Sequence, residues 1–272
     1  VPRDFASFKE AAMPTVQTDN ADIYYDSVGQ GPAVILAHGA EGNALSWFQQ
    51  VPVFAKHYQT VVFDHRGFGR STCAADHLQP NRFGADILAV MDALGIAQAA
   101  IVGQSMAGWG AMQAALVAPE RVSAVALVAT SGGLMPPAGD DAPPDPNPAP
   151  LAGNLSGLAL APDFPDREPH LAWLFDQISL LNHNIELLAG RLGDNLVTAA
   201  DLAGYTTPTV VVAPVLDSFF PPAMLQTVGT MIPGARFETL EASGHAPYWE
   251  VPDAFNTLIL DFLSAEIGSG RS

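Results

Sequence analysis

The stretch Val102-Gly103-Gln104-Ser105-Met106-Ala107-Gly108 decides the reading of this chain. The apolar run Ala99-Ala100-Ile101-Val102 leads into it, and a helical pattern over Trp109 to Ala118 leads out. A serine between small residues on a tight strand-to-helix turn is held clear of its own backbone, where its hydroxyl can act as a nucleophile. Gly103 and Ala107 stand two residues to either side of Ser105. There the turn brings backbones together, and a bulky side chain would clash. Such a match is weak alone; the segments around it give it weight.

Those segments alternate short apolar runs with helical patterns, which predicts a mostly parallel sheet with helices on both faces. Ala33–Ala37, Thr60–Phe63, Ala99–Val102, Ala124–Val128 and Thr209–Ala213 read as buried strands. Their near-continuous apolar character suits strands covered on both sides. Arg236–Leu240 alternates polar with apolar, as a strand nearer an edge does, and Asp22–Ser27 reads as part of an early antiparallel hairpin. Helices are expected over Asn81–Leu94, Trp109–Ala118, Ala223–Met231 and Pro252–Ala265. Ile87, Val90, Met91 and Leu94 form a stripe at helical spacing that reads as core.

Between Gly132 and Thr207 the pattern changes. Met135–Pro150 is rich in Pro, Gly and Asp, which predicts irregular chain, and His170–Leu192 reads as helical. The expected organisation is a core built from residues 1–131 and 208–267, a cap inserted at 132–207, and a flexible tail at 268–272.

Three further markers follow strands. His38-Gly39-Ala40-Glu41-Gly42 leaves Ala33–Ala37, and a glycine-lined turn there can aim backbone N–H groups at the carboxyl edge of the sheet, where ligands bind. With the Met106 amide beside the nucleophile, such donors suit a developing oxyanion. His38 itself reads as a brace for the loop. Asp64-His65-Arg66-Gly67-Phe68-Gly69-Arg70-Ser71 follows Thr60–Phe63, and Asp64 and Arg66 read as architectural. Ser243-Gly244-His245 follows the late strand Arg236–Leu240, where a general base is expected. Asp217 is the only acid in Pro214-Val215-Leu216-Asp217-Ser218, and its carboxylate would fix the imidazole tautomer.

With HGAEGN at His38, DHRGFGRS at Asp64, GQSMAG around Ser105, the acid loop at Asp217 and SGHAPYWEVP at Ser243, the chain resembles the α/β-hydrolase-fold enzymes. It is most similar to the small group that includes esterases, enol-lactonases and C–C bond hydrolases. The resemblance runs from about Asp22 to Leu263. It implies nucleophile Ser105, base His245 and acid Asp217, in the chain order of that architecture, with oxyanion donors at the Ala40 and Met106 amides. Two positions depart from the pattern: Ala107 replaces the second elbow glycine, and Pro214 replaces a glycine of the acid loop. The serine at the elbow sets aside haloalkane dehalogenase and epoxide hydrolase chemistry, whose nucleophile in this fold is an aspartate.

Composition narrows the rest. A chain of 272 residues can bury a full core without disulfides, and the single cysteine, Cys73, can form none within the chain. A net charge of −17 argues against nucleic acid and anionic membrane as partners. No apolar run reaches membrane-spanning length, and Val1–Glu10 lacks the apolar segment of a signal peptide, so the chain as given reads as cytoplasmic with secretion left open. The expected substrate is a small neutral ester or lactone, cleaved with no metal and no organic cofactor. Met135, Trp173 and Phe175 of the cap are the candidate substrate contacts. A C–C hydrolase using the same residues, or a ligand-binding protein on this scaffold, is the alternative. C–C hydrolase substrates are usually anionic, and the cap offers only Arg167 and Arg191 as fixed cations. The pattern selects no oligomeric state.

Overall fold

The computed structural model describes residues 13–136, 156–182 and 196–268. A hairpin opens the described chain: β1 (Thr15–Thr18) pairs antiparallel with β2 (Ala21–Val28) across Asp19-Asn20, where Asn20 takes φ 54°. β3 (Ala33–Ala37), β4 (Gln59–Phe63), the short β5 (Thr72–Cys73), β6 (Ala99–Gln104), β7 (Val122–Val128), β8 (Thr209–Pro214) and β9 (Arg236–Leu240) complete a nine-stranded sheet. Its order is β1-β2-β4-β3-β6-β7-β8-β9, with β5 on β2. Every pair from β4 through β9 is parallel.

The residues of β3, β6 and β8 are buried throughout, which is why these segments read as continuous apolar runs. Side chains alternate between the two faces. Ile35, Ile101, Val125 and Val211 face one core with α2 (Phe83–Ala93), α3 (Ala107–Val117) and α7 (Pro222–Met231). Val34, Val102, Ala126 and Val212 face the other with the C-terminal helix α9 (Pro252–Ile267). β9 lies at the sheet edge and is half solvated, as its alternation predicts.

The chain turns one way from β3 to β4 and the other way to β6, so strand order reverses between β3 and β6. A crevice at the carboxyl ends of such strands is where ligands bind in open α/β sheets. Ala37 of β3 stands beside Gly103 of β6, which places the loop after β3 next to Ser105.

The sequence boundaries shift in places. β6 runs on to Gln104 because its ladder with β7 continues to Val128. α2 begins at Phe83, after a 3-10 turn at Pro80–Arg82 that starts with proline. α3 begins at Ala107, directly from the elbow. β1 (TVQT) and β5 (TC) have too little apolar content to be read as strands, and their pairing with β2 creates them.

Between β7 and β8 the described chain carries α4 (Ser156–Ala159), α5 (Phe164–Arg167) and α6 (Pro169–Ser179). The expected helix over His170–Leu192 matches α6 at its start and ends at Ser179; residues 183–192 lie outside the described residues, as does most of Met135–Pro150. The remaining short helices are α1 (Val51–Phe54) and α8 (Pro247–Glu250).

Candidate active site

Ser105 sits at the tip of the β6–α3 elbow with φ 51°, a left-handed conformation that costs a residue with a Cβ roughly 1–3 kcal/mol. Its N–H donates to the Val128 carbonyl (2.9 Å), and its carbonyl accepts from the Gly108 N–H (2.9 Å), so the turn is fastened on both sides. A Cβ on Gly103 would lie 2.9 Å from the Ala107 carbonyl oxygen, the close approach that the small residues at 103 and 107 allow. Alanine at 107 therefore serves where the pattern usually has glycine.

His245 and Asp217 converge on this serine. Ser105 Oγ is 2.8 Å from His245 Nε2, and His245 Nδ1 is 2.9 Å from Asp217 Oδ2. A carboxylate only accepts, so the proton lies on Nδ1 and leaves Nε2 free to accept from the serine hydroxyl. Asp217 is itself anchored, its Oδ1 accepting from the Phe219 and Phe220 N–H groups at 2.8 and 3.1 Å. The acid loop is pinned to the strand before the histidine and to the histidine turn: the Val215 N–H donates to the Leu240 carbonyl and the Leu216 N–H to the Ser243 carbonyl, both at 3.0 Å. Pro214 ends β8, and Asp217 faces the imidazole with proline at that position. Gln104 donates to the His245 carbonyl (2.9 Å), which ties the histidine turn to the elbow strand.

Burial works to lower the His245 pKa. The Asp217 carboxylate, joined by Glu41 and Glu250, outweighs it and raises the imidazole above its ordinary value. A hydroxyl, an imidazole and a carboxylate so linked can pass a proton from the serine to Nε2 while the acid stabilises the cation that forms.

The loop after β3 lies against the elbow. A Cβ on Gly39 would sit 2.0 Å from Gln104 Oε1 and 3.0 Å from Ser105 Cβ, so a side chain there would displace the Gln104 amide and crowd the serine. Neither the Ala40 nor the Met106 N–H donates in the turn and loop hydrogen bonds of the described residues. His38 braces this loop. Its Nε2 accepts from the His65 N–H (2.9 Å), its Nδ1 donates to the Gly39 carbonyl (2.7 Å), and burial lowers its pKa to about 4. Asp64 holds the Ala44 N–H (2.7 Å) and Arg70, and Arg66 forms a buried bidentate pair with Asp86 (2.6 and 2.7 Å).

The candidate substrate contacts fare differently. Trp173 is 63% exposed, and Phe175 is buried against Trp249 with ring centroids 5.3 Å apart. Neither makes a ring contact or hydrogen bond with Ser105 or His245. Met135 is half-buried where the chain leaves the core. The aromatic neighbours of His245 are Phe219 (4.8 Å) and Phe220 (5.8 Å, stacked). The sequence reading missed both, although they follow Asp217 directly. It also missed Glu41 and Glu250, buried acids whose charges bear on His245. Among the described residues no group of three or more His, Cys, Asp or Glu is placed to hold a metal ion, and no helix is long and apolar enough to cross a membrane.

A parallel sheet with a strained serine elbow between β6 and α3 defines a class of enzyme, and comparison with known proteins gives the family. Residues 32–170 match the model of the alpha/beta hydrolase fold, and the chain belongs to that family of hydrolases. It is 30% identical over 267 residues to a putative non-heme bromoperoxidase, BpoC, of Mycobacterium tuberculosis, covering 90% of this chain and 98% of that one. It is 33% identical over 278 residues to the 2-hydroxy-6-oxo-6-phenylhexa-2,4-dienoate hydrolase of Burkholderia cepacia, covering 90% and 92%. Among solved structures it is similar to Est816, described as an N-acyl homoserine lactone degrading enzyme, with TM-score 0.79, 27% identity, and coverage of 92% and 100%.

Proposed function

We propose that this chain is a serine hydrolase that cleaves a neutral carboxylic ester or lactone through an acyl-enzyme. The observation that carries the reading is the single imidazole hydrogen-bonded to Ser105 on one side and Asp217 on the other. Ser105 Oγ attacks the carbonyl carbon and its proton passes to His245 Nε2. The carbonyl oxygen becomes an oxyanion facing the Ala40 and Met106 amides, each such donor being worth about 3 kcal/mol in the transition state. Collapse of the tetrahedral intermediate breaks the bond to the leaving oxygen, which takes the proton from His245. Water then gives a proton to His245, attacks the acyl carbon and frees the acid and Ser105. Residues 132–207 act in this reading as a cap that shapes the acyl pocket.

The charges near the site favour neutral substrates over the anionic keto acids of C–C hydrolases. Arg167 is paired with Asp163 at 2.8 Å, and Arg70 with Asp64 at 2.9 Å. Arg191 lies outside the described residues. Glu41, in the loop after β3, adds an acid to the neighbourhood of His245.

The test is hydrolysis of p-nitrophenyl esters from acetate to decanoate by the wild type and Ser105→Ala side by side. Turnover that vanishes in the variant supports the reading, and the chain-length optimum sizes the acyl pocket. A folded wild type that turns over none of the series moves the assignment to a C–C hydrolase, a narrow lactonase or a binding protein.

A further inference from the structure

The described part of the insertion is fastened at three points to four site loops. Ser218 Oγ, beside Asp217, donates to the Leu158 carbonyl (2.9 Å). Asn182 donates to the Gly42 carbonyl (2.9 Å) and accepts from the Gly69 N–H (3.2 Å), bridging the loops after β3 and β4. The third fastening is a single carboxyl group. Glu250 Oε2 accepts from the Ala161 N–H of the insertion (2.7 Å), and its Oε1 accepts from the Gly244 N–H next to His245 (2.9 Å). The backbone there is in direct contact. A Cβ on Gly244 would lie 2.7 Å from the Ala161 nitrogen and 2.9 Å from the Ala159 carbonyl oxygen.

We propose that Glu250 is a positioning residue: as a carboxylate it clasps the insertion to the histidine turn, so that the seat of the insertion and the placement of His245 are set together, and loss of its charge uncouples them. This rests on His245 being the base of the reaction proposed above. Only an ionised carboxyl can accept from both amides without restriction; once protonated, one oxygen carries a hydrogen, and if that hydrogen points at an amide N–H the bond is lost. Glu250 is 7% exposed, and burial pushes its pKa up to about 7, against the pull of the Ala161, Gly244 and Ala246 amides and of Arg167 on α5. The other groups in its field are Tyr248 on its own helix and His245, which Asp217 and Glu41 also face. The clasp therefore changes state near neutral pH.

The test is amide hydrogen exchange, corrected for intrinsic rates, at Ala161 and Gly244 between about pH 8.5 and 5.5, with Val102 of β6 as reference. In the wild type, protection at both amides should fall about tenfold with acid, the effect of losing one hydrogen bond, while Val102 holds. Glu250→Gln turns an NH2 group toward one of the two amides. Its protection should sit at the acid level at every pH, and the acid limb of its kcat/KM profile should lose one proton of steepness and move to lower pH. Protection that is independent of pH in the wild type and unchanged in Glu250→Gln overturns the proposal. The wild-type measurement decides even if the variant folds poorly. Wild type with pH-dependent protection but no ester turnover leaves the clasp standing and removes the ester-hydrolase reading instead.

Discussion

Ser105 carries backbone strain that its neighbours must hold in place, and it does so at the tip of the elbow. Ser105→Ala keeps the Cβ and the turn while removing the hydroxyl; kcat should fall by roughly 10⁴–10⁶ with the unfolding transition intact. Asp217→Asn replaces an acceptor with an amide whose NH2 can face Nδ1 and favour the other tautomer, and kcat should fall on the order of 10⁴. Wild-type kcat in either variant would remove that residue from the mechanism. The pH profile tests the environment of the base. In the proposed mechanism His245 accepts a proton only when neutral, and Asp217, Glu41 and Glu250 raise its pKa despite its burial. Activity should therefore fall with acid at a pH above the ordinary imidazole value. Glu41→Gln should move that limb to lower pH, and a limb that stays in place would show that the Glu41 charge does not reach the imidazole.

At the scale of elements, the loops rather than the strands hold the polar structure. The loop after β4 is organised by Arg66, which is buried, pairs with Asp86 of α2, and also donates to the His77 carbonyl at 2.9 Å. Arg66→Met would leave the Asp86 carboxyl buried without its partner, a change that costs about 3–5 kcal/mol. Urea unfolding of the variant measures this, and a loss below about 1 kcal/mol would mean that the loop relaxes around the missing charge. The architectural role of this loop was legible in the sequence because glycines and opposed charges crowd eight residues. Its partner, Asp86, was not, because α2 presents that acid to the loop only once both elements pack on β1 and β2. The same holds for β1 and β5, whose strand character comes from pairing rather than from their own residues.

Across the whole molecule, buried ionisable groups pull stability in opposite directions. Burial lowers the His38 pKa from 6.5 to about 4, so the folded state binds that proton more weakly than the unfolded state. Its contribution is complete above about pH 6.5 and is lost as pH falls toward 4. Glu250 has the opposite sign. Its pKa is raised from 4.5 to about 7, so its contribution is complete below about pH 4.5 and is lost as pH rises through 7. Between those limits the two offset each other. In Glu250→Gln the opposing contribution is gone, and the unfolding free energy should drop more steeply with acid between about pH 6.5 and 4.5 than in the wild type. Parallel curves from urea unfolding across that range would show that Glu250 does not titrate there.

The sheet and the elbow at Ser105 were legible in the sequence because each depends on local signals: buried strands are continuously apolar, and a tight strand-to-helix turn admits only small neighbours. What surrounds the imidazole came only with packing of distant segments. Phe219 and Phe220, rather than Trp173 or Phe175, pack beside His245. Glu41 bears on it from the loop after β3 and Glu250 from α8, residues 204 and 5 positions away along the chain. Both acids stand in the motifs HGAEGN and SGHAPYWEVP, but their spacing along the chain does not say that they approach the imidazole. Those approaches follow from loops that leave separate strands and meet at one edge of the sheet, where a desolvated charge is felt across distances that the sequence does not measure.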